Sequence, residues 1–394
     1  MLDAVIIGAG VSGLHTAWRL QQAGQKVVVC EARDRAGGRL LSAKVLPDLP
    51  TDSSDSPPES QPTENSVDLG ATWIWREEPK VTALVRELGV TPFPHYERGA
   101  LVYDLPDGPV LVPGPDQGRT FLRVTGGTAA ITDTLLDRLE AATVRLSSTV
   151  TKITQQGSHE KAENPQPSFR VDLRDQPPLE ARQVVLALPP ALAMTNIAFT
   201  PKLPSQFVQL ASATPVWMGN IVKTVVIYES PFWREKGLSG AVLSALGPLS
   251  EIHDASGPEG VPAALFGFTG IPKPAVPRPA DSRASVPKQG GPPEAFPPRQ
   301  AVLAQLTRVF GPAAGEVREF FQQDWSREPH TSPPDVAARE DYDLFGHGSY
   351  AKAYLGGGLH FCSCETSGFG GHIEDALHAS ARTVSRVLDH LGRP

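Results

Sequence analysis

Residues Ala4–Gly13 read AVIIGAGVSG, and the fold class follows from this short segment. Its apolar run is typical of a strand buried on both faces, and it leads directly into three glycines with GxGxxG spacing. Apolar residues then recur at helical spacing up to Gly24, and a second apolar run, Val27–Cys30, is followed by Glu31. A strand, a glycine loop, a helix, a second strand and an acid in this order predict a dinucleotide-binding unit rather than an isolated tight turn.

Each key position of this unit has a physical role. Gly8 permits the tight turn, Gly10 lets the backbone approach a pyrophosphate, and Gly13 lets the helix lie close to the strand. The free amide groups and the positive dipole end of the helix favour phosphate binding. Glu31 can accept hydrogen bonds from both ribose hydroxyls, and its charge disfavours the 2′-phosphate of NADP.

The composition argues against several classes of protein. With 40% hydrophobic and 20% charged residues among 394, the chain has the composition of an ordinary soluble globular protein. A net charge of −7 argues against nucleic acid or an anionic membrane as partner, and the chain lacks an apolar run long enough to span a bilayer. The apolar start leaves no room for a signal peptide. Three cysteines are too few for a disulfide framework, which favours a reducing compartment, so we expect a cytoplasmic protein.

Prolines are concentrated in two segments. Residues 46–66 lack large apolar side chains after Leu49, and we expect a mobile insert there. Residues 272–299 form a proline-rich segment with added basic residues. An inserted surface loop is the simpler interpretation of such a segment, and a docking ligand for a partner is the alternative.

The segment Glu31–Arg39, EARDRAGGR, favours FAD over NAD as the bound dinucleotide. A glycine pair followed by an arginine can bring a second cationic contact to a diphosphate. Here the sequence resembles the flavin-containing amine oxidases, which include monoamine and polyamine oxidases and smaller bacterial and fungal relatives. In that family this motif belongs to the FAD site, so the resemblance implies that Glu31, Arg33, Gly38 and Arg39 contact FAD.

The resemblance continues through VDLGATWIW (Val67–Trp75) and covers nearly the whole chain between the proline-rich segments. The further FAD contacts that it implies are Gly70, Ala71 and Thr72 against the flavin, Val150 at the adenine, Glu365 at the ribityl or phosphate region, and Gly371, His372 and Ile373 at the flavin N1–C2=O edge. No cysteine occurs in Ser326–Tyr350, where covalently flavinylated monoamine oxidases carry one, so FAD should be bound non-covalently.

The implied fold is α/β, with a Rossmann-like FAD-binding domain interleaved with a mixed-sheet substrate domain. The FAD-binding domain would comprise residues 1–75, 124–200 and 326–394, and the substrate domain residues 76–123 and 201–325. Residues 76–123 are fewer than in monoamine oxidases, so we expect a shortened substrate domain with less helical cover. The sequence leaves a monomer and a homodimer open.

Four residues are candidates for the catalytic side of the site. Lys223 interrupts the apolar strand NIVKTVVIY, where a lysine is either an edge-strand solubiliser or a buried functional amine. The resemblance implies that it holds a water next to flavin N5. Trp75 stands where spermine-type polyamine oxidases have histidine, and His372 stands where monoamine oxidases have one of two tyrosines around the amine. The second tyrosine would be Tyr342 or Tyr350, and Tyr350 is our candidate.

The chain has one dinucleotide-binding unit, so the substrate rather than NAD(P)H should reduce the flavin. The resemblance implies an oxidase that takes a hydride from a carbon next to the nitrogen of a small amine. The resulting imine would hydrolyse to an aldehyde or ketone and ammonia, and O2 would be reduced to H2O2.

Three alternatives stay open. An L-amino-acid oxidase would need a cation for the carboxylate, for which Arg98, Arg119, Arg123 and Arg234 are candidates. A desaturase or cyclase of a natural-product intermediate would suit a cavity rich in tryptophan, with Trp73, Trp75 and Trp217. A non-enzymatic FAD-bound interaction module is the third.

Cys362 and Cys364 raise the question of a metal or redox site. A metal would need two further ligands, and a Cys-x-Cys disulfide is strained. Strand alternation over Leu359–Ser363 should place both thiols on one face, so we expect buried thiols and no metal.

Overall fold

The computed structural model describes residues 1–46, 65–114, 121–157, 168–269, 296–333, 342–368 and 370–392. Most of the two proline-rich segments predicted from the sequence lies outside these residues. The strands are β1 (Leu2–Ile7), β2 (Val27–Cys30), β3 (Ser42–Lys44), β4 (Ser66–Asp68), β5 (Ile74–Trp75), β6 (Pro92–Pro94), β7 (Ala100–Leu105), β8 (Gly108–Val112), β9 (Phe121–Val124), β10 (Val144–Arg145), β11 (Val150–Gln156), β12 (Ser168–Leu173), β13 (Gln176–Leu186), β14 (Ala198–Thr200), β15 (Val222–Tyr228), β16 (Leu238–Ser244), β17 (Glu251–Asp254), β18 (Ala263–Thr269), β19 (Glu319–Asp324) and β20 (Leu359–Phe361). The α-helices are α1 (Val11–Gln22), α2 (Pro79–Leu88), α3 (Ala129–Arg138), α4 (Pro190–Asn196), α5 (Ser205–Ala213), α6 (Phe232–Glu235), α7 (Arg299–Phe310) and α8 (Ile373–His390).

The first large sheet contains the predicted nucleotide-binding unit. Its strand order is β10-β2-β1-β13-β12-β11-β14, with β20 also paired to β13. β1 pairs in parallel with β2 and β13, and its alternate residues enter two different core clusters, Ala4 and Ile6 on one face and Val5 and Ile7 on the other. Burial on both faces explains why the strand is a continuous apolar run.

The second large sheet has the order β19-β15-β18-β17-β16-β7-β8. β15 is an interior strand, paired antiparallel with β18 and β19, so Lys223 is not an edge-strand solubiliser. Val225 and Ile227 lie with Ile221 in one core cluster, and Val226 and Tyr228 lie in another. This sheet takes its strands from residues 100–112 and 222–324, whereas the first takes them from 2–30, 144–200 and 359–361. The interleaved α/β architecture is therefore as expected, while the domain boundaries stay a prediction.

The C-terminal segment differs from the expectation in one detail. β20 ends at Phe361, before the cysteines, and Cys364 begins a short 3-10 helix, Cys364–Thr366. Strand alternation therefore does not set the direction of the two thiols. Both thiols are nevertheless buried in one core cluster, and the three cysteines of the chain are free. Of the helices described, none is both long and apolar enough to cross a membrane.

Candidate active site

A cavity of about 540 Å³ extends from the carboxyl ends of β1 and β2 to the second sheet. Gly8 follows β1, Glu31 follows β2, and Ala187 follows β13, and all three line the cavity. Ligands of open α/β sheets bind at this edge because the carboxyl ends of parallel strands leave a crevice there. The far end of the cavity is formed by residues of the GATWIW motif, by β15 and by the start of α8.

The glycine loop has the geometry that a diphosphate requires. A Cβ atom at Gly13 would lie 2.0 Å from the carbonyl oxygen of Gly8, so only glycine lets α1 pack this close to β1. A Cβ atom at Gly10 would meet no protein atom within 4 Å, because this residue faces the cavity. Gly10 is also the N-cap residue of α1, so the free amides at the helix start open into the cavity.

Glu31 is held at the end of β2 by backbone amides. Its carboxylate accepts hydrogen bonds of 2.8 Å from the amide of Ala9 and 3.0 Å from the amide of Arg33. The Arg33 guanidinium lies 3.4 Å from Glu31 and 3.2 Å from Glu328, and it donates to Thr331 at 2.8 Å. Its Nε is buried without a hydrogen-bond partner, which leaves one donor for a ligand.

The segment around Thr331 was missed by the sequence analysis. His330 and Thr331 both line the nucleotide end of the cavity, close to Arg33. Nothing in the local sequence signals this role, because the contact joins residues almost three hundred positions apart. Val150, which the resemblance assigns to the adenine, lines the same end together with Ser148 and Thr149.

Arg39 lines the cavity and forms an ion pair with the buried Glu365. Its Nη1 lies 2.7 Å from Glu365 Oε1, and its Nη2 donates to the Cys364 sulfur at 3.2 Å. Burial alone would raise the pKa of Glu365, yet the pair with Arg39 holds that pKa below its ordinary value. Glu365 is fully buried and does not line the cavity, and its contact with the ribityl or phosphate region, which the resemblance implies, stays a prediction.

Lys223 is 1% exposed, belongs to β15 of the second sheet and lines the cavity. Its Nζ donates a hydrogen bond of 2.8 Å to the carbonyl oxygen of Gly70 and a second one to Thr72 Oγ1, and it lies 4.4 Å from the centre of the Phe266 ring. Burial lowers the pKa of Lys223 to about 7, although Asp68 acts in the opposite direction. At neutral pH this amine can therefore either donate or accept a proton.

Gly70 makes the approach of the motif to the cavity possible. A Cβ atom at this position would lie 1.9 Å from the carbonyl oxygen of Arg39, so the two backbones touch. Ala71 and Thr72 follow it along the cavity wall. The structure thus brings together Lys223, Arg39 and the motif that the resemblance assigned to one site.

Two aromatic residues and a histidine form the wall at this end. The rings of Trp75 and His372 are stacked, with centroids 5.5 Å apart and an angle of 5° between their planes. Trp217 meets His372 edge-on at 5.8 Å. His372 is the N-cap residue of α8, so the positive end of this helix dipole also faces the cavity, with Gly371 and Ile373 beside it.

Two acids at this end were missed. Glu78 accepts hydrogen bonds from the Trp75 amide at 3.0 Å and pairs with His372 Nδ1 at 2.7 Å. Glu251 lines the cavity directly, with its carboxylate 3.5 Å from His253 Nε2. Single acids in short polar segments carry no pattern that could have identified them.

The structure does not bring Tyr350 to the cavity. Its ring is 1% exposed and packs against Phe207 and Phe361 in the core of the first sheet, and its hydroxyl bonds to Thr214 at 2.5 Å. The other candidate, Tyr342, has its ring 5.0 Å from that of Trp217 and is the nearer tyrosine.

Of the arginines considered for a substrate carboxylate, the three that the structure describes do not line the cavity. Arg123 is buried 4.0 Å from Asp68, and Arg234 pairs with Asp254 through two nitrogens. Arg98 is exposed, and Arg119 lies outside the described residues. Within the described ranges no group of three His, Cys, Asp or Glu side chains could hold a metal ion.

The sequence matches the model of one protein family, described as flavin containing amine oxidoreductase, over residues 11–109 and 101–388. Putrescine oxidase of Kocuria rosea is 23% identical over 98% of this chain and 95% of its own length. A probable flavin-containing monoamine oxidase A of Dictyostelium discoideum is also 23% identical, over 99% and 98%. Cyclohexylamine oxidase from Brevibacterium oxydans IH-35A has a TM-score of 0.76 at 20% identity and covers 100% of both chains. The structural likeness confirms the predicted fold.

The family match confirms the prediction of a flavin-dependent oxidoreductase. The cavity fits FAD, because the glycine loop, the Glu31 carboxylate and the unpartnered Arg33 Nε lie at one end, and Lys223 with the GATWIW motif lies at the other. The match extends over most of the chain, on both sides of the proline-rich segments. This protein therefore belongs to the flavin containing amine oxidoreductase family.

Proposed function

We propose that this protein is an FAD-dependent oxidase of a small amine. It removes a hydride from the carbon next to the nitrogen, so that the amine becomes an imine. The observation that carries the proposal is the charge at the substrate end of the cavity. Glu251 lines this end, and Glu78 lies behind His372. Arg123 and Arg234 are paired with Asp68 and Asp254, and neither lines the cavity. An ammonium group is stabilised by such a wall, and a substrate carboxylate is repelled by it.

The proposed roles of the nucleotide end follow from its contacts. Glu31 would hold the ribose, Arg33 and Arg39 would face the diphosphate, and the free amides of α1 would bind phosphate oxygens. Bound FAD supplies a two-electron acceptor for the substrate hydride. We propose that its binding is non-covalent, since Cys364 is committed to Arg39 and Cys30 lies in β2 at the nucleotide end.

The opposite end would position the amine. The flat rings of Trp75 and His372 would confine an apolar substrate chain, and water would be excluded by Trp217 and Phe268. Lys223 can hold or transfer a proton at Nζ because its pKa is lowered by burial to about 7. The imine product would then hydrolyse to an aldehyde or ketone.

Measurement of O2 consumption and H2O2 formation tests this function. The protein should consume one O2 for each H2O2 and each carbonyl product when it is given a small primary amine. An amino acid with the same side chain should be a poorer substrate because of its carboxylate. Equal or better turnover of the amino acid would favour an L-amino-acid oxidase.

A second candidate function is supported by one observation. Trp73, Trp75 and Trp217 all line the cavity, and Trp73 stacks on Phe121 at 5.1 Å. A wall with this much aromatic surface suits a polycyclic substrate of a desaturase or cyclase. Oxidation of a polycyclic amine without formation of a free aldehyde or ketone would favour this function over the first.

We also propose a cytoplasmic enzyme that acts as a monomer or a homodimer without nucleic acid. The buried free state of the three cysteines supports a reducing compartment. The net charge of −7 supports the absence of a nucleic-acid partner.

A further inference from the structure

Three consecutive backbone carbonyls, those of residues 69–71, lie between β4 and β5 and are not part of a strand pairing. Each of them accepts a hydrogen bond from a side chain of a distant element. The three bonds run from Trp325 Nε1 to Leu69 at 3.0 Å, from Lys223 Nζ to Gly70 at 2.8 Å, and from Thr128 Oγ1 to Ala71 at 2.7 Å. Among the described residues no other donor reaches these carbonyls. Since a buried carbonyl without a partner is costly, the three side chains fix the path of this segment.

Thr128 is the one donor of the three that does not line the cavity. It is 0% exposed and is the N-cap residue of α3. Its backbone amide donates to Asp68 at 2.7 Å, and Asp68 is held from the other side by the Ser42 hydroxyl at 2.9 Å. A hydroxyl group has a single proton, and the contact of Thr128 Oγ1 with Ala71 is shorter than its 3.1 Å contact with Asp68. The hydroxyl proton is therefore directed to the carbonyl of Ala71.

The glycine before Thr128 makes this arrangement possible. A Cβ atom at Gly127 would lie 2.3 Å from Ser42 Oγ and 2.8 Å from Asp68 Oδ1. Only glycine lets the start of α3 come this close to the carboxylate, so that the Thr128 amide can reach it.

Lys223 depends on the same segment. Its Nζ donates to the Gly70 carbonyl and to Thr72 Oγ1, which belong to the residues on either side of Ala71. A displacement of Ala71 therefore moves both acceptors of this amine. Asp68 is linked to Lys223 by charge as well, because burial lowers the pKa of the amine and the carboxylate acts in the opposite direction.

We propose that Thr128 is a positioning residue for amine oxidation, an inference that rests on the proposed function. Anchored by Asp68, it holds the carbonyl of Ala71 and thereby keeps the two acceptors of Lys223 in place. Thr128 itself contacts neither the substrate nor the cofactor, so its effect on the reaction passes through the segment that it holds.

Two substitutions separate the hydrogen bond of Thr128 from its packing. Thr128→Val keeps the volume and loses the hydroxyl, whereas Thr128→Ser keeps the hydroxyl and loses a methyl group. Anaerobic flavin reduction in the holoenzyme by a saturating small amine should be slowed about tenfold by valine and less than about twofold by serine. A packing role predicts the reverse order, so a serine variant that is as slow as the valine variant, or slower, would overturn the proposal.

The matched control is Thr132→Val, on the same helix. Thr132 is 1% exposed, and its hydroxyl donates at 2.9 Å to the Ala129 carbonyl within α3 rather than to the cavity segment. This variant should be reduced at the wild-type rate. If Thr128→Val does not fold or does not bind FAD, the serine variant decides: it should keep the wild-type rate, and a loss of about tenfold would overturn the proposal.

A double-mutant cycle in the apoprotein gives a readout that needs neither cofactor nor turnover. Urea unfolding is compared for the wild type, Thr128→Val, Lys223→Met and the double variant. If Thr128 holds the acceptors of Lys223, Thr128→Val should lower the free energy of unfolding about twice as much in the wild type as in Lys223→Met. Thr132→Val should have the same effect in both. Equal losses for Thr128→Val in the two backgrounds would overturn the link between these residues.

Failure of this inference and failure of the proposed function give different results. If no amine reduces the wild type, the proposed function fails, and the cycle still tests whether Thr128 and Lys223 act together. If amines reduce the wild type and Thr128→Val at the same rate, only the role of Thr128 fails.

Discussion

The Nζ atom of Lys223 lies 2.8 Å from the carbonyl oxygen of Gly70, and this contact joins β15, an interior strand of the second sheet, to the GATWIW motif. The same nitrogen bonds to Thr72, the second residue after Gly70. A buried amine of the second sheet therefore lines the cavity that fits the flavin. Burial lowers its pKa to about 7, so its charged form is a cost to folding.

Replacement of this amine should slow amine oxidation without loss of the cofactor. Lys223→Met keeps the length and removes the proton-transferring nitrogen, so turnover should fall by about 100-fold. FAD content, measured by absorbance, should stay at that of the wild type because the nucleotide contacts lie at the other end of the cavity. Lys152→Met, at an exposed position of β11, is the matched control and should turn over normally. Full activity of Lys223→Met would refute a role for this nitrogen.

The same variant should change the pH dependence of stability. The folded-state pKa of Lys223 is about 7, against an ordinary value of 10.5. Between these values the unfolded chain binds a proton that the folded chain does not, so the free energy of unfolding of the wild-type apoprotein rises with pH across this window. The cost of the buried charge is complete below pH 7 and absent above about pH 10.5.

Lys223→Met lacks this cost. The stability of the variant relative to the wild type should therefore be greatest at pH 6 and should decrease by a few kcal/mol on going to pH 10. Thermal unfolding of the two apoproteins at both pH values measures the difference. A difference that is equal at the two values would show that the lysine pKa is not lowered.

Two glycines of the nucleotide loop should respond differently to the same added methyl group. Gly13→Ala places Cβ 2.0 Å from the Gly8 carbonyl oxygen, so the helix must shift, the apoprotein should lose stability, and FAD binding should fail. The Cβ atom added by Gly10→Ala meets no protein atom, and the backbone at this position is extended. The apoprotein of this variant should therefore unfold at the same temperature as the wild type. Its methyl group projects into the cavity, where it should weaken FAD binding by at least tenfold. Equal unfolding temperatures for the two variants would contradict this account.

The three thiols should be unreactive in the folded protein. Burial raises the pKa of Cys30 to about 12 and also raises the pKa of Cys362 and of Cys364, the latter despite its contact with Arg39. A thiol reagent should therefore label no cysteine at neutral pH before denaturation, and all three after it. Stoichiometric labelling of Cys364 in the native protein would instead indicate a reactive thiol beside the cofactor.

The parts of the site that follow one another along the chain could be predicted from the sequence. Gly8, Gly10, Gly13 and Glu31 follow one another in one strand–helix–strand segment, and their spacing predicted a nucleotide-binding unit; Gly8, Gly10 and Glu31 line the cavity, and Gly13 packs α1 against Gly8. The position of Lys223 in an apolar run indicated a buried amine or an edge strand, and only the pairing of β15 with both neighbours distinguished the two. Residues with a local pattern were therefore found.

Contacts between distant segments could not be predicted in this way. Glu365 forms an ion pair with Arg39, a contact that no local pattern in the sequence indicates. Tyr350 was expected at the substrate, but it packs with Phe207 in a core cluster, since a lone tyrosine carries no periodicity that fixes its direction. Glu78 was missed because its importance arises from a contact with His372, 294 residues away.

The most direct measurement is the anaerobic addition of a panel of amines and amino acids to the purified yellow holoprotein. Our account predicts that at least one small amine bleaches the flavin absorbance and that admission of O2 restores it, with formation of H2O2. It also predicts that the corresponding amino acids bleach it more slowly or not at all. A flavin that a chemical reductant bleaches but that no amine reduces would contradict the central claim.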